Sequence, residues 1–300
     1  MGSYSGAAPP SQERKVRAGD LDHHVLEWMP AGKEVGRGVA LLLHGYMDVA
    51  DSWDAVAPAL AAEGFHVVAP DFRGFGDGPR AAVGTSYYFP DYVADVFALA
   101  EVLSPDAPLT VVGHSMGGVV ATLFAGSFPA RVIKLANLEG LGPPSSAFAD
   151  GPSRMRDFVE STRKYRGRGA RPMADLDEVL ARLAPGHPGV PVDILRARAP
   201  TLVRARPDGG FEWRFDPLHR ARSPVPFYVD GFVEFAARVT CPVLFVGGGD
   251  TGYHPPDEAA RLGGFRDLRR VELAGAGHMM HWTAPDALVA ALVPFVTSSS

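Results

Sequence analysis

A chain of 300 residues, 46% of them hydrophobic and with mean hydropathy near zero, suits one compact domain with an insertion or two small domains. A formal net charge of -5 gives no strongly basic face, so nucleic acid is not an expected partner. The single cysteine, Cys241, excludes an internal disulfide, and no apolar run reaches membrane-spanning length.

The opening stretch "MGSYSGAAPPSQERKVRAGD" lacks the apolar core and cleavage site of a secretory signal, so a cytoplasmic location with no membrane partner is expected. Gly6 stands where a myristoylation signal requires Ser or Thr, and "MGSYSG" reads as a floppy tail. His23 and His24 follow in an early strand that reads as exposed.

Over the first 140 residues, short β-branched or leucine-rich runs alternate with longer helical stretches, the pattern of parallel strands joined by crossover helices. "VALLLHG" (39–45), "FHVVAPD" (65–71), "LTVVGHS" (109–115) and "RVIKLANLEG" (131–140) are the predicted strands. "DSWDAVAPALAAEG" and "YVADVFALAEVL" carry apolar residues at helical spacing, and Gly64 is placed to stop the first.

After Gly140 the alternation breaks into a Pro-, Gly- and Arg-rich stretch with no convincing buried strand. It resumes near residue 239 with "PVLFVGG", "PPDEAARLG", "LRRVELAGAGH" and "APDALVAALVPFV", a strand-helix-strand-helix ending. The expected fold class is therefore α/β, a mostly parallel sheet flanked by helices, with residues 1–140 and 239–300 as core and 141–238 as a largely helical insertion. The insertion carries 16 Lys and Arg against 12 Asp and Glu, and "RMRDFVESTRKYRGRGAR" reads as a solvated helix face. Its aromatics Phe211, Trp213, Phe215, Phe227, Tyr228 and Phe232 suit either the cover of an apolar pocket or a small core of the insertion's own. Cys241, at the start of a predicted strand, is expected to be a small buried apolar group.

Gly113-His114-Ser115-Met116-Gly117 fits G-x-S-x-G, with a strand before it and a helix after it. At so tight a turn the serine backbone is strained, and the flanking glycines let neighbouring chains approach without a Cβ clash. A serine hydroxyl needs a base to take its proton. His278 in "GAGHMMHW" supplies one on a glycine-flanked loop after the last predicted strand. His281, three residues on, lacks the helical context and acidic partner of a zinc site, so it is read as a packing or pocket-lining residue, and no metal is expected.

Taken in order, "LLLHGYMDVADSW", "VVAPDFRGFGDG", "VGHSMGG", "PVLFVGGGD" and "GAGHMMHW" resemble the α/β-hydrolase fold superfamily over nearly the whole chain, with residues 141–238 as a cap, or lid. The resemblance implies a triad in the order serine, acid, histidine. Asp250, ending "PVLFVGGGD", is the first choice of acid, because most of the family carries it there. Glu139 in "LANLEGLGPP" is the rival, because that stretch is similar to the one from which haloalkane dehalogenases and a related luciferase draw a glutamate. The backbone N–H groups of Tyr46 and Met116 are the implied oxyanion donors. Asp71 and Arg73 are expected to tie down a loop rather than react.

The implied function is a serine hydrolase of carboxylic esters or related acyl compounds, acting through an acyl-enzyme on a small-molecule, apolar acyl substrate with no cofactor. C–C bond hydrolase, aminopeptidase or perhydrolase chemistry on the same triad is the alternative, as is a small-molecule receptor that keeps the triad for ligand binding. Dehalogenase and epoxide hydrolase activities are not expected with a serine nucleophile, because they proceed by carboxylate attack.

Overall fold

The computed structural model describes residues 7–30, 36–168 and 171–298; the expectation for the first six residues lies outside this range. Eight strands form one sheet in the order β1-β2-β4-β3-β5-β6-β9-β10. These are β1 (Gln12–Ala18), β2 (Leu21–Trp28), β3 (Val39–Leu43), β4 (His66–Pro70), β5 (Leu109–His114), β6 (Val132–Leu138), β9 (Val243–Gly247) and β10 (Leu268–Glu272). β2 runs antiparallel to both its neighbours, and every pairing from β4 to β10 is parallel.

The central strands read as unbroken apolar runs because both faces are covered. Successive side chains point to opposite sides, so Leu41, Leu43 and Val111 join one core while Leu42 and Val112 join the other. The first core is closed by α2 (Phe89–Leu103) and α3 (Met116–Ser127), through Val96, Leu99, Val120 and Phe124. The second is closed by α1 (Ala57–Ala62) and α10 (Pro285–Thr297), through Leu60, Leu288 and Leu292.

The helix expected over 51–64 divides into a 3-10 turn, Ala50–Trp53, and then α1, because Pro58 sits in the first turn of α1 where its missing N–H costs nothing. His23 and His24, expected to be exposed, are 1% and 4% exposed. β1 pairs along β2, His23 Nε2 lies 3.8 Å from Asp95 of α2, and carboxylates beside both rings make the burial tolerable. Asp71 Oδ2 accepts from His24 Nδ1 at 2.7 Å, and Glu13 reaches the other ring nitrogen at 3.0 Å. Cys241 is buried, and burial pushes its thiol up to about 11.

Between β6 and β9 lie α4 (Gly151–Arg168), α5 (Leu176–Leu183), α6 (Val192–Arg198) and α7 (Val229–Ala236). The segment also holds an antiparallel pair not expected from sequence, β7 (Val203–Ala205) and β8 (Phe211–Trp213). Three-residue strands are too short to show an alternating pattern. A third apolar cluster unites Val179, Leu183, Leu195 and Leu202 of this segment with Met279 and Trp282. It is seated on α9 (Met280–Thr283) and the loop before it, next to His278, while α8 (Glu258–Leu262) packs against α7.

Candidate active site

β5, β6 and β9 are neighbours and parallel, so the residues that follow them emerge side by side at one edge of the sheet. Ser115 follows β5, Glu139 follows β6 and Gly248 follows β9. His278 lies on the loop between β10 and α9.

Ser115 sits between β5 and α3 with φ of +50° and ψ of -116°, a conformation that costs a non-glycine residue about 1–3 kcal/mol. The surroundings hold it there. Its N–H donates to Leu138 O at 2.8 Å, and its carbonyl accepts from the N–H groups of Gly118 and Val119. A Cβ on Gly113 would lie 2.4 Å from Gly117 O, and one on Gly117 would lie 2.2 Å from Leu43 O. Only glycine permits this approach of helix and strand, which leaves the hydroxyl standing clear of the sheet.

His278 Nε2 lies 3.0 Å from Ser115 Oγ, and His278 Nδ1 lies 2.6 Å from Glu139 Oε2. The Glu139 side chain is fully buried and its backbone, like that of Ser115, has φ of +50°. Burial by itself would raise the Glu139 carboxyl. Hydrogen bonds from His278, from the Gly248 N–H at 2.6 Å and from the Tyr253 N–H at 2.8 Å outweigh it and hold the group below the usual carboxylate range.

Asp250, the first choice of acid on sequence grounds, does not meet the histidine. It is exposed in the turn Gly249–Thr251 and borders a separate hollow with His254, Arg270 and Glu272. The physical reason is the course of the loop after β9, which wraps Glu139 and presents main-chain N–H groups to it, turning its own aspartate outward. Because β6 and β9 pair with Leu138 opposite Val246, a carboxylate after either strand falls near the same place.

Met116 begins α3, where the first N–H groups of a helix have no intrahelical acceptor. Tyr46 follows His44-Gly45, whose imidazole accepts from the Phe72 N–H at 3.0 Å and so joins the turns after β3 and β4. Tyr46 also reaches the inserted segment, its hydroxyl donating to His219 O at 2.6 Å. Asp71 accepts from the Ala50 and Asp77 N–H groups, and Arg73 makes a paired contact with Asp95. Both residues fasten loops and neither touches Ser115.

Beneath this layer are two buried histidines whose part the sequence did not reveal. His114 Nε2 lies 2.8 Å from the carbonyl of His278, so the residue before the serine grips the main chain of the histidine loop. Burial, with His281 and His278 close by, holds His114 well below the ordinary histidine range, in the neutral form. His281, expected to have neither helical context nor an acidic partner, has both, because the turn after β3 comes from far along the chain: it lies in α9, its Nε2 is 3.1 Å from Asp48 Oδ2, and its ring stands 4.3 Å from that of His114.

A cavity of about 1080 Å³ opens over Ser115, with Tyr46, Met116, Glu139 and His278 in its wall. Of the six aromatics Phe211, Trp213, Phe215, Phe227, Tyr228 and Phe232 between β6 and β9, Phe227, Tyr228 and Phe232 line it. Phe211, Trp213 and Phe215 do not; Phe211 and Trp213 pack against the third cluster, and Phe215 stacks on Trp213.

A strained serine at a strand-to-helix turn, within reach of a loop histidine at the carboxyl edge of a parallel sheet, defines the α/β-hydrolase class. Residues 39–285 match the α/β hydrolase fold family, and the chain belongs to it. A serine hydrolase-like protein of Danio rerio is 27% identical over 90% of this chain and 84% of its own length. Epoxide hydrolase A of Mycobacterium tuberculosis is 27% identical over 95% and 97%. The match to a serine hydrolase-like protein of Dictyostelium discoideum, 36% identical, spans 34% of this chain and 28% of that one. Among solved structures, a hypothetical protein of Pseudomonas aeruginosa PAO1 superposes with a TM-score of 0.84 at 27% identity, covering 96% and 100% of the two chains. The thioesterase domain from the curacin biosynthetic pathway does so with 0.76 at 26%, covering 93% and 97%. Among the described residues no helix is long and apolar enough to cross a membrane.

Proposed function

We propose that this chain is a serine hydrolase of carboxylic esters or related acyl compounds, with Ser115 as nucleophile, His278 as base and Glu139 as the acid. The observation that carries this reading is the continuous line from Ser115 Oγ to His278 Nε2 at 3.0 Å and from His278 Nδ1 to Glu139 at 2.6 Å. His278 takes the serine proton as Oγ attacks the acyl carbon, and the imidazolium is steadied by the ionised Glu139. The oxyanion accepts from the N–H groups of Tyr46 and Met116. His278 then gives its proton to the leaving group, and water, activated by the same histidine, releases the acyl group. Residues 141–238 act as the cap that shields these steps from solvent.

Relatives named epoxide hydrolases share the family, yet alkyl-enzyme formation from an epoxide requires a carboxylate at the elbow, where this chain has Ser115. The names serine hydrolase-like and thioesterase agree with acyl chemistry. Labelling by a fluorophosphonate tests the reading, with Ser115→Ala and His278→Ala as controls. Wild-type protein is expected to be labelled and both variants not; an unlabelled wild type, or equal labelling of Ser115→Ala, overturns the assignment.

A further inference from the structure

The cavity over Ser115 extends well beyond the space that a small acyl group fills. Three helices contribute to its wall, each with one stripe of side chains at helical spacing: Phe89, Val93 and Phe97 on α2, Met116, Val119, Leu123 and Ser127 on α3, and Phe232 and Phe235 on α7. α3 packs against both α2 and α7, so these stripes face one groove that runs along the nucleophile helix. From Met116 to Ser127 the helix rises about 16 Å. The groove therefore begins at the reacting hydroxyl and ends one helix length away, where the rings of Phe97 and Phe128 lie 4.4 Å apart.

The groove is apolar, and the three stripes contain no charged side chain. The carboxylate and guanidinium that border the cavity, Glu139 and Arg154, come from the loop after β6 and from α4. Val93, Phe97, Leu123 and Phe128 are each only partly covered by protein, which leaves apolar surface that a hydrocarbon could cover. Continuity with Ser115 identifies the occupant as part of the molecule that reacts there.

We infer that the groove between α2, α3 and α7 holds the acyl chain of the substrate, and that the preferred substrate is a medium- to long-chain acyl ester or thioester. A fully extended chain of about twelve carbons, about 14 Å long, is close to the helix rise of about 16 Å from Met116 to Ser127. Leu123 lies seven residues along α3 from Met116, about 10 Å of helix rise, and so stands beside the middle of such a chain. The inference rests on the serine hydrolase reading for the position of the acyl carbon, but chain binding can be measured without turnover.

The first test compares kcat/KM for p-nitrophenyl acetate, butanoate, octanoate and dodecanoate below their aggregation limits. In a half-open groove each methylene is expected to contribute about twofold, so dodecanoate should exceed butanoate by roughly 100-fold or more. Leu123→Trp, which fills the middle of the groove, should lower the dodecanoate-to-butanoate ratio at least tenfold. A maximum at acetate or butanoate, or a Leu123→Trp effect equal for every ester, overturns the inference.

The second test titrates the Ser115→Ala protein with sodium dodecanoate and sodium butanoate by calorimetry. Dodecanoate binding at least tenfold tighter than butanoate, and weakened by adding Leu123→Trp, supports the groove even if no ester is turned over. That result combined with failed fluorophosphonate labelling would sink the hydrolase reading alone. Equal, weak binding of the two acids, with esters still hydrolysed, would sink the chain-binding inference alone.

Discussion

His278 Nδ1 lies 2.6 Å from Glu139 Oε2, and that carboxylate is itself held by two main-chain N–H groups from the loop after β9. The loop that carries Asp250 thus serves the histidine indirectly, by fixing and ionising another residue's carboxylate.

This arrangement assigns the two acids different outcomes. Under the proposed mechanism Glu139→Gln keeps the shape but removes the charge that would steady the imidazolium, and kcat for p-nitrophenyl butanoate is expected to fall on the order of 10³-fold. Asp250→Asn, on an exposed turn, is expected to stay within about threefold of wild type, as exposed substitutions generally do. Reversal of the two effects in steady-state kinetics would return the acid to Asp250.

His114 joins the serine elbow to the histidine loop through its 2.8 Å contact with the His278 carbonyl. His114→Ala leaves that carbonyl without its donor, at a cost of about 1–3 kcal/mol in stability. Because the imidazole then loses its register on Ser115, kcat is expected to drop about tenfold with little change in KM. His114→Gln, which retains a donor, should recover part of the loss; equal kcat in all three proteins would refute the positioning role.

The buried His24 is raised to about 9: burial opposes its charge, but the Asp71 and Glu13 carboxylates more than compensate. A histidine whose folded value exceeds its unfolded value near 6.5 contributes its full stabilisation below pH 6.5 and loses it as pH rises through about 9. The expected contribution is on the order of 2–3 kcal/mol. Urea unfolding at pH 6 and pH 9.5 should show that loss in wild type, and His24→Gln should show little of it. A pH dependence identical in both proteins would remove His24 as its source.

Arg261 is fully buried and spans the route by which the chain leaves the sheet for the inserted segment. One nitrogen donates to the carbonyls of Leu141, Gly142 and Pro143, and the other two meet Asp257. A lysine has neither the planar fork nor enough donors in fixed directions to serve both sets. Arg261→Lys is expected to cost about 2 kcal/mol and, because Gly142 and Pro143 border the cavity, to raise KM for long esters more than for short ones. Unchanged denaturant midpoints and unchanged KM values would show that the fork is dispensable.

The two levels of description differ most at the histidines and carboxylates. The strand runs of the sheet were legible because burial on both faces demands unbroken apolar sequence, and the serine turn was legible because its glycines have no steric substitute. The burial of His23 and His24 is not legible in the sequence because it depends on Asp95 of α2 and on Asp71, which come from far along the chain. The β7–β8 pair, at three residues each, is below the length at which alternation can be seen. The groove along α3 is not legible in the sequence because an apolar stripe reads the same whether it faces a core or a cavity.

What the sequence by itself determined, then, is the order of strands and helices, the α/β class and the strained turn that presents Ser115, all of them consequences of local sterics and hydrophobic period. Only the tertiary structure decided that Glu139 and not Asp250 meets His278, that His114 grips the loop behind it, and that three helices leave an apolar groove beside the serine. Each of these depends on which chain segments become neighbours across the sheet edge, and spacing along the sequence carries no distance between strands that are adjacent only after folding.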